Sequence, residues 1–429
     1  MRINRKKLGA LLCALGATAA IASSAAASHS STPGVSKKQI VIGGTFPLTG
    51  GASLYASIAS AEEAYYAYVN AHGGVYKRKI KDIVLDDQYD PSQTVPAVQK
   101  LVEQDHVFAI VGSLGTAPGL ATWNYLNQNM VPQVLLATGD AYWGNCVKLK
   151  CDGMTHPWTE GWQPDYPGEA KLYASYILKQ KPNAKIGVLY QNDAYGKNYF
   201  NGLKTGLGTH QNQIVDAEAY NFGDSAQVVG AHIGALEAHG ADTVVLFSTP
   251  TASIQSLATM SAVLHWSPLT LLNNVSANPL FMFFAEQNGA SLNGVVSTTY
   301  VPSQTTQANL AGMKLAKKII DATGNTSLEN DFNEGDSNLV YGLAVGWTFV
   351  DALKAAGPNP TRAGLMHALR NLNESGKTAN PFVYPGMSVS TSSKRFFPME
   401  QLIFEKWAGQ TGSATGNWKT FGKVLNSGH

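Results

Sequence analysis

An α/β protein of two similar lobes, each a Rossmann-like parallel sheet covered by helices, is the fold class this sequence predicts. Three observations carry the prediction. Apolar strand-like runs alternate with longer amphipathic runs, and a strand opens each unit. The series ends once and restarts with the same layout, which implies two lobes. The chain of 429 residues is 44% hydrophobic and only 14% charged, so it can fill sizeable cores and is neither disordered nor a coiled coil.

In the first series, strand 39–46 leads into helix 57–71, strand 82–86 into helix 91–104, and strand 108–112 into helix 117–129, before strand 133–138 closes it. His72-Gly73-Gly74 ends the first helix where a left-handed cap is wanted. In the second series, strand 185–190 precedes helix 197–207, strand 213–220 helix 226–239, strand 242–247 helix 252–264, and strand 269–273 helix 279–287, with Gly240 as a stop. Farther on, Leu310, Met313, Ala316, Ile319 and Ile320 follow helical spacing over 309–322, and Lys314, Lys317 and Lys318 form its solvated face. The run 339–356 is apolar nearly all round and should be a buried helix, while 409–416 reads as a surface loop.

The N-terminus has the layout of a secretory signal peptide. Arg2, Arg5, Lys6 and Lys7 precede an apolar run from Leu8 to Ala22, and Ala25-Ala26-Ala27 supplies the small residues of a cleavage site, placing the cut after residue 27. A membrane anchor would need ~20 apolar residues, which this run lacks. Leu12 stands where a lipidated Cys13 would need a small residue. Removing four basic residues takes the formal charge from +2 to −2, which argues against a nucleic-acid partner. An exported chain would keep only Cys146 and Cys151, and a disulfide closing that short loop is the economical reading. A metal site would need ligands beyond these two and His156, and two free thiols are the plain alternative.

Enzyme signatures are missing. There is no H-E-x-x-H helix and no G-x-S-x-G elbow, and Asn371 stands where a phosphate loop ending in Gly376-Lys377-Thr378 would need glycine. The adjacent pairs Glu62-Glu63 and Asp86-Asp87 point different ways and read as surface or packing residues. His232 and His239 read as surface residues, and no histidine has a partner at metal-ligand spacing, so neither metal nor cofactor is expected.

In open α/β sheets, ligands bind beyond the carboxyl ends of strands. Here those segments are small and polar: 47–55 ending in Tyr55, 112–118 with Thr116 at a helix start, and 137–140 with Ala137 and Gly139. Thr116 offers a hydroxyl and free N–H groups to an anion such as a carboxylate, although helix capping alone would explain it.

The motifs Ile40-Val41-Ile42-Gly43-Gly44-Thr45-Phe46-Pro47-Leu48-Thr49-Gly50, Asn70-Ala71-His72-Gly73-Gly74-Val75, Asp86-Asp87-Gln88-Tyr89-Asp90-Pro91 and Leu189-Tyr190-Gln191-Asn192-Asp193-Ala194-Tyr195-Gly196-Lys197 occur in order. Together they resemble the branched-chain amino-acid-binding proteins, the periplasmic substrate-binding components of ABC importers. The resemblance runs from about 38 to 355 and is weaker from about 380. It implies a type I periplasmic-binding fold, with two lobes hinged by three crossings, expected here near 157–161, 297–301 and 380–385. Lobe one would be 36–157 plus 301–380 and lobe two 158–300 plus 381–429. Carried over by position, Thr116 would grip the ligand carboxylate, the Ala137 carbonyl would receive an amino group, and the Gly139 N–H would meet the carboxylate. Tyr55 and Tyr195 would close over the ligand from opposite lobes.

This chain departs from the family in the second lobe, where an acidic residue should face the ligand ammonium. The matching stretch 271–276 has no carboxylate, and Asn274 is its nearest equivalent. Glu160 could supply the charge, but a solvated place at the hinge is expected. Trp143 and Trp158, with Tyr55 and Tyr195, could line a site for a flat or apolar body.

A monomeric extracytoplasmic protein is therefore expected, capturing a small carboxylate-bearing or amino-acid-like ligand and delivering it to a membrane permease. The alternatives are a secreted hydrolase or a ligand-sensing domain that partners a membrane receptor.

Overall fold

The computed structural model describes residues 32–409 and 416–427. The expected signal peptide, and most of the loop expected at 409–416, lie outside the described residues.

The first sheet comprises β1 (Gln39–Phe46), β2 (Lys79–Asp86), β3 (Ile110–Val111), β4 (Gln133–Leu136) and β5 (Thr159–Gly161), all parallel, in the order β2-β1-β3-β4-β5. Its crossovers are α1 (Ser57–Ala71), α2 (Pro91–Glu103), α3 (Thr116–Gln128) and the one-turn α4 (Tyr142–Asn145). The second lobe opens with α5 (Tyr166–Gln180) and continues through β6 (Ile186–Gln191), α6 (Ala194–Leu207), β7 (Ile214–Tyr220), α7 (Ala226–Ala238), β8 (Thr243–Phe247), α8 (Pro250–Ala258), β9 (Leu269–Leu272), α9 (Pro279–Gln287) and β10 (Val296–Thr299). The chain returns to the first core through α10 (Ala311–Asp321), α11 (Thr326–Glu334), α12 (Ser337–Ala355), α13 (Arg362–Leu369) and the small pair β11 (Asn373–Glu374) and β12 (Val389–Ser390). It ends in β13 (Gln401–Ala408) and β14 (Asn417–Asn426), which join antiparallel to complete the order β14-β13-β10-β9-β8-β6-β7.

The strand-helix alternation therefore stands, as does the burial of the apolar run that became α12. Two boundaries differ from the sequence reading. β5 belongs to the first sheet and Trp162 to the first core, so that sheet extends past residue 158. Phe382, Val383, Met387, Val389 and Met399, in the stretch 381–429 expected in lobe two, also pack into the first core, and the chain rejoins the second sheet at Gln401. Both differences have one cause: these stretches are too short or irregular to announce by periodicity which sheet they join.

Each sheet reverses its winding once, between β1 and β3 in the first and between β6 and β8 in the second. Such reversals leave a crevice at the strand ends. The two crevices face each other, and hydrogen bonds cross between the lobes. Asn198 Nδ2 donates to Asp140 Oδ2 at 3.0 Å, Asn278 Nδ2 to Asp336 Oδ1 at 2.5 Å, and Thr251 Oγ1 to the Gly51 carbonyl at 3.1 Å. The lobes are thus in contact around the cleft.

Candidate functional site

A cleft of about 770 Å3, counting its open mouth, lies between the lobes. Of the residues singled out from sequence, Tyr55, Thr116, Ala137, Tyr195 and Asn274 line it. Gly139 stands behind the wall, with its carbonyl accepting the Tyr166 N–H at 2.7 Å and its Cα against the Tyr166 ring.

On the first wall, the chain turns from β3 into α3 through Gly115, whose φ of 114° is unfavourable for any side chain and whose Cα lies against the Tyr89 ring. No side chain caps α3, and its first intrahelical bond is donated by Gly119 to Gly115, so the Thr116 and Ala117 N–H groups have no helical acceptor. The positive end of the helix dipole lies beside them. Thr116 Oγ1 is 2.7 Å from Thr138 Oγ1, and the Tyr166 hydroxyl interacts with both threonines. The Ala137 carbonyl already accepts from Gly115 at 3.2 Å and keeps one lone pair. Leu135, in left-handed backbone at φ 56°, makes the irregularity in β4 that turns this segment toward the cleft.

Across the cleft, Tyr195 follows β6 on the first turn of α6, whose N-cap is Asp193. Its hydroxyl donates to the Asn273 amide oxygen at 2.5 Å, while the amide nitrogen faces the Leu246 and Ser248 carbonyls. The Tyr55 hydroxyl donates across the lobes to the Val275 carbonyl at 3.2 Å. Asn274 does not stand in for an acid unaided. Its backbone N–H and side-chain amide donate to Glu169 on α5 at 2.8 and 2.6 Å, leaving the amide oxygen as its remaining acceptor. Glu169 is fully buried and also meets the Tyr173 and Tyr199 hydroxyls at 2.5 and 2.7 Å. Burial raises its pKa to about 7 against the four hydrogen bonds that favour the anion. The single Tyr173 proton cannot serve both Glu169 and the Leu272 carbonyl at 2.7 Å, and a protonated Glu169 donating to Tyr173 satisfies both.

Sequence reasoning missed much of the wall. Tyr89, Tyr166, Tyr300 and Tyr341 join Tyr55 and Tyr195, and among the described residues no lysine, arginine or histidine lines the cleft. Tyr89 had a signal: Asp87 accepts its N–H in a turn with Gln88 and Tyr89 at positive φ, and Asp90 then caps α2. Glu405, from β13, is the carboxyl in the wall. The expected tryptophans are elsewhere. Trp143 is buried with Trp123, Leu136 and Cys146, and Trp158 packs against the first core. Glu160 is not solvated either. It is fully buried beside Arg370, at 3.6 Å, although β5 is the edge strand of its sheet. Glu62 and Asp87 are buried, whereas Glu63 is exposed and Asp86 partly so. Cys146 and Cys151 form a disulfide with their Cα atoms 5.6 Å apart.

Residues 39–392 match the family model described as periplasmic binding protein. The chain belongs to this family. It is 25% identical over 206 residues to Leu/Ile/Val-binding protein homolog 3 of Brucella melitensis, covering 48% of this chain and 53% of that one. The chain thus spans about half the length of the curated relatives it matches. A branched-chain amino-acid ABC transporter protein of Thermus thermophilus, solved with bound valine, superposes with a TM-score of 0.77 at 16% identity, over 91% of this chain and 97% of that one. A fatty-acid ABC transporter substrate-binding protein of Thermomonospora curvata gives 0.72 at 20% identity, over 92% and 94%. These likenesses bear on the fold, which is that of type I periplasmic-binding proteins.

Proposed function

We propose that the protein is the extracytoplasmic solute-binding component of an ABC importer. It captures a small carboxylate-bearing or amino-acid-like molecule between its lobes, closes on it by hinge motion, and hands it to a membrane permease. The supporting observation is a tyrosine-rich cleft lined from both lobes, with the uncapped start of α3 and the Thr116 hydroxyl on one wall. Such donors hold a carboxylate without a cationic side chain. In this reading residues 1–27 direct export and are removed, and the protein acts as a monomer without cofactor, metal or nucleic acid. Thr116, Ala137, Tyr55, Tyr195 and Asn274 contact the ligand, and Gly139 supports Tyr166 from behind.

The test is mass spectrometry of small molecules released by mild denaturation of the purified exported protein. A carboxylate present in stoichiometric amount is expected. Absence of any such molecule, together with no thermal stabilisation by any carboxylate in a broad screen, overturns the reading.

A further inference from the structure

The cleft does not end at the tyrosine cage. Beyond it lies a second, half-open chamber of about 870 Å3, counting its mouth, between the crossing after β10 and strand β14. Ala277, Thr299, Val301, Ser337 and Glu405 line both chambers, whereas Thr116 and Ala137 line only the first. Glu405 therefore stands at the junction, on the hinge side of the site.

Glu405 is 6% exposed, its backbone is paired in the ladder, and no described residue donates a hydrogen bond to its carboxyl. The residues opposite it in the ladder, Ser297 on β10 and Thr420 on β14, are neutral. Lys419 lines the second chamber but forms no ion pair with it. The ionisable group that acts on Glu405 is Glu169, a like charge, and burial together with that neighbour holds its pKa well above the usual carboxylate range. A buried carboxyl without a partner is costly to ionise until a cation reaches it.

We propose that Glu405 is a ligand-binding carboxyl for a basic nitrogen remote from the ligand carboxylate, so that the preferred ligands resemble ω-amino acids rather than α-amino acids. This rests on the carboxylate-capture reading above. An α-amino acid carries both charges on one carbon, where Asn274 and its neighbours offer no charged partner. A molecule with its nitrogen at the far end can hold its carboxylate at Thr116 and reach the junction. On binding, Glu405 gives up its proton to solvent and pairs with the ammonium.

The experiment measures the thermal shift and calorimetric affinity of the exported protein with δ-aminovalerate and ε-aminocaproate. Comparison ligands are valerate and caproate, which lack the amine, and valine and leucine. The ω-amino acids should bind at least tenfold more tightly than either comparison set. Glu405→Gln should weaken them roughly ten- to a hundredfold, the range for a hydrogen bond between charged groups, and leave valerate and caproate unchanged. The melting temperature of the ligand-free variant checks its folding. Without any variant, calorimetry in buffers of different ionisation enthalpy should register a proton released with the ω-amino acids and none with valerate. Equal binding of amines by E405Q, tighter binding of the amine-free acids, or preference for valine and leucine overturns the Glu405 assignment alone. If neither series binds, the Glu405 assignment falls, and the carboxylate-capture reading falls with it only when the broad carboxylate screen also finds no stabilising ligand.

Discussion

The two walls of the cleft meet a ligand with opposite chemistry. The first wall is a helix start, two threonine hydroxyls and a carbonyl, none of which titrates near neutral pH. The second hides its acids: Glu169 lies behind Asn274, and Glu405 stands at the junction of the chambers. The difference teaches that a cleft lined largely by tyrosine rings and aliphatic groups carries its polar groups at separate points, with no cationic side chain among the described lining residues. Free backbone donors collect where α3 starts, and the titratable carboxyls collect on the opposite wall.

The largest expected effect comes from removing the second wall's support. Glu169→Leu leaves the Tyr199 hydroxyl and both Asn274 donors without their buried acceptor, at about 1–3 kcal/mol for each unsatisfied group. Urea unfolding of the ligand-free protein should show a loss of about 3–5 kcal/mol, and less for Glu169→Gln, which keeps an oxygen. An unchanged unfolding midpoint would mean the wall does not depend on this acid.

Next comes pH. Glu169 has its pKa raised from 4.5 to about 7, chiefly by burial. Burial likewise raises Asp140 to about 7 and Asp336 to about 6. The folded protein therefore binds more protons than the unfolded chain in this range. The stabilisation is fully present below the unfolded values and is lost as pH rises through the folded ones. Melting temperature should fall by several degrees between about pH 5 and about pH 8, with about 3 kcal/mol lost through Glu169 alone. A flat profile would contradict a wall of protonated carboxyls.

The first wall is tested by Thr116→Ala, which deletes a hydroxyl that can bond a charged carboxylate. A loss of about 1.5–3 kcal/mol, or roughly ten- to over a hundredfold in affinity for the co-purified ligand, is expected by calorimetry with little change in stability. Unchanged affinity would place the carboxylate elsewhere.

The smallest effect belongs to the loop behind that wall. Trp143 packs against Gly119 of α3 and shares a core with Cys146, so the Cys146–Cys151 disulfide steadies α3 from the rear. With the cysteines only five residues apart, the chain-entropy model gives about 2 kcal/mol for Cys146→Ser with Cys151→Ser. Thermal unfolding should show this modest loss and ligand affinity should hold. Alkylation of two thiols without reductant would show that the bond does not form.

Local pattern in the chain was enough to announce the alternating α/β fold, the buried α12 and the first-wall residue Thr116, because strand and helix periods and strand-to-helix turns are properties of neighbouring residues. Tyr55, Ala137 and Tyr195 were legible through the family resemblance, which places them in the segments beyond β1, β4 and β6, where ligands of open α/β sheets bind. Helix α5 was overlooked although Asp165 caps it and Ala170, Tyr173, Ala174 and Ile177 keep helical spacing. Its signal was present, and with it the acid Glu169. Glu405 was not legible at all. A glutamate in a strand reads as solvated until β10 and β14 close on either side of it, and those pairings join residues more than a hundred positions apart on one side and fifteen apart on the other. Which acids face the cleft was settled by tertiary structure alone, since burial and loss of partners depend on what the distant chain brings alongside.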